Sequence, residues 1–268
     1  IKANIYALHD YKSRVSESQF KALLGFGPSL GFAIDTTGSM SNEIAGVLAD
    51  VKNIIEERKG TLEEPMQYVL SPFNDPTVGP LTNTSDADTF KDNLSRLFAD
   101  GGGDCPELSM QGAYDAIAAM EGNGQVIGYT DASSKDADKQ SEVYSLAKEK
   151  NIKFSWSLYG SCSPYDPSYF KLANRTGGQV FILPRGQTSG VSQLANLLSR
   201  SNAADILAVA GQVSTAVVSH TFPVDSTITR LTVSITSTGA TTITIKRPDG
   251  SVIAASDAGV TKVPITPA

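Results

Sequence analysis

Two hydrophobic rhythms divide the chain. From residue 28 to about 203, short apolar runs alternate with stretches in which apolar residues recur every three or four positions. The runs at 30–34, 66–73, 125–131, 153–159 and 179–183 predict buried strands. Between the first two, Ile44, Val47, Leu48, Val51, Ile54 and Ile55 keep helical spacing. Further helices are expected over 89–98, with Phe90, Leu94, Leu97 and Phe98 on one face, and over 139–150, 168–174 and 191–200. Another is expected to open at Pro106 and run through Leu108, Ala113, Ile117 and Met120. Residues 78–84 form a short strand whose Pro80 points to a sheet edge. Strands alternating with helices imply an α/β fold, a doubly wound, mostly parallel sheet covered on both faces.

The flanks read differently. Residues 1–27 carry one or two helices, ended by Gly25, Gly27 and Pro28. From 204 to 268 helical spacing stops, and Thr, Val, Ile and Ser alternate at 229–237 and 241–246 around a Pro248-Asp249-Gly250 hairpin signal. A small all-β module is expected there, short for a self-sufficient sandwich.

Composition narrows the function. A net charge of −6 with no long run of either sign gives no basic face for nucleic acid. No apolar run approaches the ~20 residues of a membrane span. Lacking an initiator Met and a signal peptide, the chain reads as a mature form or an excerpt. Two cysteines, Cys105 and Cys162, are too few for a disulfide scaffold or a cysteine-rich zinc site. Two histidines, His9 and His220, leave little for imidazole catalysis. Gly27-Pro28-Ser29-Leu30-Gly31 matches the hydrolase pattern G-x-S-x-G, but that motif needs a strand before it and a helix after it, and here the order is reversed.

The chemistry concentrates in Leu30 to Ser41, LGFAIDTTGSMS. A strand ends on Asp35, two hydroxyls follow at Thr37 and Ser39, and a helix begins. Open α/β sheets bind ligands outside the carboxyl ends of their strands. Oxygen donors on a short turn suit a hard divalent cation. QVIGYTD repeats the pattern and ends on Asp131, while Gly101-Gly102-Gly103 leads into Asp104, Cys105, Pro106 and Glu107. Consecutive glycines allow a tight path beside a ligand, and Glu107 suits the positive end of the following helix.

The stretches LGFAIDTTGSM, SPFNDPTVGPLT, GGGDCPE, GYTDASSKD and TGGQVF resemble a von Willebrand factor A domain of the hemicentin and von Willebrand A domain-containing 7 type. D-x-T-G-S resembles its metal-ion-dependent adhesion site, D-x-S-x-S, with Thr37 keeping the first hydroxyl. The resemblance implies one divalent cation, Mg²⁺ first and Mn²⁺ or Ca²⁺ next, held by Asp35, Thr37, Ser39 and Asp131. The family's second loop supplies a threonine; here Asp104 takes its place as a metal candidate, and Ser41, Asp104 and Glu107 are candidate ligand contacts. It implies a secreted or cell-surface adhesion module, not an enzyme, in which a protein partner's acidic residue completes the cation. A scaffold with a loop-stabilising cation is the alternative. A metal-dependent phosphotransferase wants a second Asp where this chain has Thr37. The resemblance also implies a Cys105–Cys162 disulfide, against the alternative of two free thiols; both cysteines fall in loops at the carboxyl edge of the sheet. Sequons at Asn83, Asn93 and Asn174 are candidate glycosylation sites.

Overall fold

Strands β1 (Ser29–Asp35), β2 (Tyr68–Phe73), β3 (Thr82–Thr84), β4 (Gly124–Thr130), β5 (Ile152–Tyr159) and β6 (Val180–Leu183) make one sheet in the order β3-β2-β1-β4-β5-β6. All neighbours run parallel except β3, which lies antiparallel on β2 at the edge. The order turns back between β1 and β4, so their carboxyl ends flank a crevice of the kind in which doubly wound sheets bind ligands. This computed structural model describes residues 12–23, 27–61, 63–160, 164–185, 206–207, 217–229, 231, 233 and 242–260.

The described helices are α1 (Glu17–Leu23), α2 (Ile44–Arg58), α3 (Ala87–Leu94), α4 (Ser109–Ala119), α5 (Gln140–Glu149) and α6 (Pro167–Thr176). Successive strand residues face opposite ways. Phe32 and Ile34 join Val47, Val51 and Ile54 of α2 and Phe90 of α3 in one core. Ala33 joins Ala113 and Ile117 of α4, Val143 of α5 and Tyr169 of α6 in the other. Both faces of β1 and β2 are therefore dry, which is why their sequences are continuous apolar runs rather than alternating ones.

Three expectations need correction. The segment 78–84 is extended only at Thr82–Thr84, Val78 making an isolated bridge to Phe73. Helix α3 is capped by Asp86, which accepts from the Thr89 N–H, and it ends at Leu94. Phe98 is thus off the helix and 69% exposed, while Leu97 packs on the core. Helix α4 opens at Ser109, not at Pro106. Glu107 is drawn instead into a parallel bridge with Ser134, and the Asp136 carboxylate accepts from the Met110 and Gln111 N–H groups at 3.0 and 2.7 Å. A side chain from the loop after β4 thereby satisfies donors that the helix start leaves open.

The N-terminal helix docks on the sheet domain through Lys21, which donates to Ser85 O, and Ser16, whose hydroxyl donates to Glu121. At the other end, the Pro248–Gly250 turn closes as expected, with Gly250 N–H donating to Arg247 O and Lys246 bridging Val252. The expected helix at 191–200 and most of the expected strand at 229–237 lie outside the described residues, while the expected strand at 241–246 is not formed over 242–246, which carry only the isolated Lys246–Val252 bridge.

Gly128 sits in β4 against a ring. A Cβ there would lie 2.2 Å from Trp156 Cε3. Gly128→Ala is expected to displace Trp156 and destabilise the domain by about 1–3 kcal/mol, as overpacked cores do. A urea unfolding midpoint equal to that of the wild type would contradict it.

Candidate metal centre

The strand ends place their oxygens in one connected chain. Asp35 is fully buried at the end of β1. Its Oδ1 accepts from the Thr37 N–H at 2.9 Å and the Thr37 hydroxyl at 2.7 Å; its Oδ2 accepts from the Thr130 hydroxyl at 2.6 Å. Thr37 Oγ1 lies 3.0 Å from Ser39 Oγ, and the Ser39 hydroxyl donates to Asp131 Oδ1 at 2.8 Å. The four expected donors of the adhesion motif are thus brought together across the β1–β4 crevice. Asp35, Thr37 and Asp131 are buried and Ser39 stands at the mouth.

The backbone path explains why the motif needs these residue types. A 3₁₀ turn, Gly38–Asn42, carries the chain from β1 towards α2. Gly38 N–H donates to Gly101 O at 3.0 Å, and a Cβ on Gly38 would also fall 3.0 Å from that oxygen. Asp100 N–H donates to Thr36 O, and Asn74 Nδ2 donates to both Thr36 O and Asp100 O. The glycine-rich loop is therefore stitched along the β1 turn, with Asn74 as the clasp.

Electrostatics sets the tension of the site. Burial pushes the Asp35 carboxyl up to about 6, against the pull of its three hydrogen bonds, and the Asp131 charge adds to the rise. Glu107 is 2% exposed and is pushed up to about 8 by burial, then by Asp35, Asp75, Asp131 and Asp104. Its Oε2 has no hydrogen-bond partner. Asp104 is not part of this cluster: exposed, it pairs with Lys135 Nζ at 2.9 Å, which holds its carboxyl below the usual range. Lys135 reaches Asp75 at 2.5 Å as well. Ser41 is exposed on the 3₁₀ turn.

Four residues of the site carried no signal that a linear reading weighed. Thr130 holds Asp35 from β4 and is adjacent to Asp131, so a hydroxyl beside a strand-end carboxylate was the available clue. Asn74 lies just after β2, inside the stretch SPFNDPTVGPLT, where nothing beside it marks a clasp on another loop. Glu43, fully buried at the start of α2, and Arg185, just after β6, meet at the mouth. The Arg185 guanidinium donates to Ser39 O at 3.2 Å and lies 3.5 Å from Glu43 Oε1 and 3.8 Å from Asp131 Oδ2.

The donor set fits a hard divalent cation. Two buried carboxylates, Asp35 and Asp131, share one hydroxyl-linked pocket, where an ion would relieve their mutual cost. Among the described residues no three carboxylate, histidine or cysteine side chains gather closely enough to hold an ion by themselves, so Thr37 and Ser39 have to complete the set. Ser29 lies apart from it, buried, its hydroxyl donating to Gln67 Oε1 at 3.0 Å. Cys105 is disulfide-bonded; Cys162 lies outside the described residues. Of the sequon asparagines, Asn83 donates its amide to Ala119 O, Asn93 donates to Thr89 O, and Asn174 is exposed near the end of α6.

Comparison with known proteins agrees with the fold. The human von Willebrand factor A domain-containing protein 7 is 38% identical over 156 residues, 58% of this chain and 18% of that protein. Mouse hemicentin-1 is 30% identical over 243 residues, 89% of this chain and 4% of that protein. The chain thus spans only a small part of the curated relatives it matches. A solved structure of proximal thread matrix protein 1 from the mussel byssus, with a zinc-occupied MIDAS motif, shares the fold at a TM-score of 0.50 and 14% identity, over 65% of this chain and 46% of that one. The family model for the von Willebrand factor A domain matches residues 29–184, from the first residue of β1 to just past the end of β6, and the chain belongs to that family.

Proposed function

We propose that this chain is a divalent-cation-dependent binding module of the extracellular space, which takes an acidic group of a protein partner at the β1–β4 crevice. The observation that carries the reading is the unbroken path Thr130–Asp35–Thr37–Ser39–Asp131. Asp35, Thr37, Ser39 and Asp131 would hold the cation, with Mg²⁺ suited best by hard oxygen donors and Mn²⁺ or Ca²⁺ next. A bound ion of this kind supplies an open coordination position to an incoming carboxylate. The chain's own residues do the rest. Thr130 and the Thr37 N–H fix the Asp35 carboxylate in orientation, and Asn74 fixes the turn that presents Ser39.

Extracellular placement rests on the cysteines. Cys105 is disulfide-bonded, and Cys162 is the only other cysteine in the sequence. We pair the two. Such bonds persist in oxidising compartments, and this one would tie the glycine-rich loop to the end of β5. Among the described residues no helix is long and apolar enough to cross a membrane.

Calorimetric titration of Mg²⁺ or Mn²⁺ is expected to give saturable heat with the wild type and none with Asp35→Ala. Equal heats from both proteins would sink the metal-site reading. Thiol titration of unreduced, denatured protein is expected to find no free thiol; two would reject the cysteine pair and the argument for secretion with it.

Stability against pH offers an independent check. Asp35 and Glu107 have folded values, about 6 and about 8, above their ordinary 3.8 and 4.5. For carboxyls shifted this way the folded state prefers the protonated form. Their contribution is complete below pH 4 and is lost as pH rises through 6 and then 8. In EDTA the melting temperature should therefore fall between pH 5 and 8, and saturating Mg²⁺ should flatten that fall. An EDTA profile that instead rises across this window would refute the assignment.

A further inference from the structure

Arg185 follows the end of β6 by two residues, and its side chain is 48% exposed. A guanidinium in that position has water available to it. It turns back into the crevice instead, on three contacts. It donates to Ser39 O at 3.2 Å, the carbonyl of the residue whose hydroxyl meets Asp131. It lies 3.5 Å from Glu43 Oε1 and 3.8 Å from Asp131 Oδ2. The side chains of both acids have no solvent exposure, and a buried carboxylate is costly without a counter-charge.

The three contacts differ in firmness. The bond to Ser39 O is a hydrogen bond, whereas 3.8 Å from Asp131 Oδ2 is beyond hydrogen-bond reach and leaves Coulomb attraction alone. Arg185 is thus anchored at Ser39 and Glu43 and only leans on Asp131. The two oxygens of Asp131 are divided: Oδ1 accepts from the Ser39 hydroxyl, and Oδ2 faces the guanidinium. Lys135 does not share this task, being committed to Asp75 and Asp104. Asp131 is also one of the four side chains that would hold the cation, so two positive charges are directed at one carboxylate.

We propose that Arg185 is a built-in competitor of the cation. Its guanidinium neutralises Asp131 and Glu43 while no divalent ion is bound, and it yields Asp131 when one binds. The inference rests on the metal-site reading above and deepens it. Coulomb attraction scales with charge. A monovalent ion brings Asp131 no more charge than Arg185 already does, and it gains little by displacing that residue. A divalent ion brings twice as much. Arg185 therefore lowers the affinity of the crevice for its ion and, in the same act, makes it a site for divalent ions.

Calorimetric titration of Mg²⁺ into the full chain tests this, with Arg185→Gln and Arg185→Lys beside the wild type. Arg185→Gln is expected to bind Mg²⁺ roughly 3- to 30-fold more tightly, the scale of a half-exposed charge acting on a divalent ion. Arg185→Lys keeps the charge and is expected to bind much as the wild type does. Unchanged or weaker binding in Arg185→Gln, or an equal gain in Arg185→Lys, would overturn the proposal. Melting temperature gives a second readout. In EDTA, Arg185→Gln is expected to melt below the wild type, because two buried carboxylates lose a counter-charge; in saturating Mg²⁺ that deficit is expected to shrink. A purely structural ion pair would give the same deficit in both buffers, and that result would reject the role. A wild type that gives no Mg²⁺ heat would overturn the metal site itself and this inference with it, a failure visible before any variant is made.

Discussion

Everything at the crevice depends on keeping one carboxylate, Asp35, out of water. A buried charge is costly unless its lone pairs are met. Here three donors meet them, two from Thr37 and one from Thr130. That arrangement fixes the turn after β1, because Thr37 can donate both its N–H and its hydroxyl to one oxygen only if the chain bends at once. It also fixes the neighbour, because Thr130 must arrive from an adjacent parallel strand. The hydrogen bonds do not fully offset the burial, and the carboxyl stays above its ordinary range. The site is held in a state that a positive charge would relax.

The surrounding loops answer that tension with positive charge and with close backbone contact. Arg185 brings a half-exposed guanidinium to the mouth, between Glu43 and Asp131. Lys135 neutralises Asp75 and Asp104 outside it. The glycines of the second loop let its backbone lie against the β1 turn, as the Gly38–Gly101 hydrogen bond records. Bulkier residues would hold the two loops apart and open the carboxylates to solvent.

The fold was largely legible in the sequence because burial on both faces leaves long apolar runs, and amphipathic helices leave a 3.6-residue rhythm. Helix ends were less so. Where α4 begins is decided by Asp136 and Ser133, which reach it from another loop. The motif from Asp35 to Ser39 was readable because its donors are close in sequence. The two acids of the second loop could not be told apart by spacing. Which one turns inward depends on Lys135, 31 residues from Asp104. Arg185 and Glu43 were invisible for the same reason: nothing in their local sequence announces the partner that folding brings to them.

The parallel topology has a further consequence, for how the site comes into being. The two hydrogen bonds that join its halves, Thr130 to Asp35 and Ser39 to Asp131, span 95 and 92 residues of chain. Neither can form until β1 and β4, adjacent in the sheet, lie side by side. Closing so large a loop is entropically slow. The cluster therefore needs both strands in place, and a peptide excised around either half would carry the letters of the motif without its geometry. Occupancy of the crevice would register, in a single local event, that the two central strands have paired.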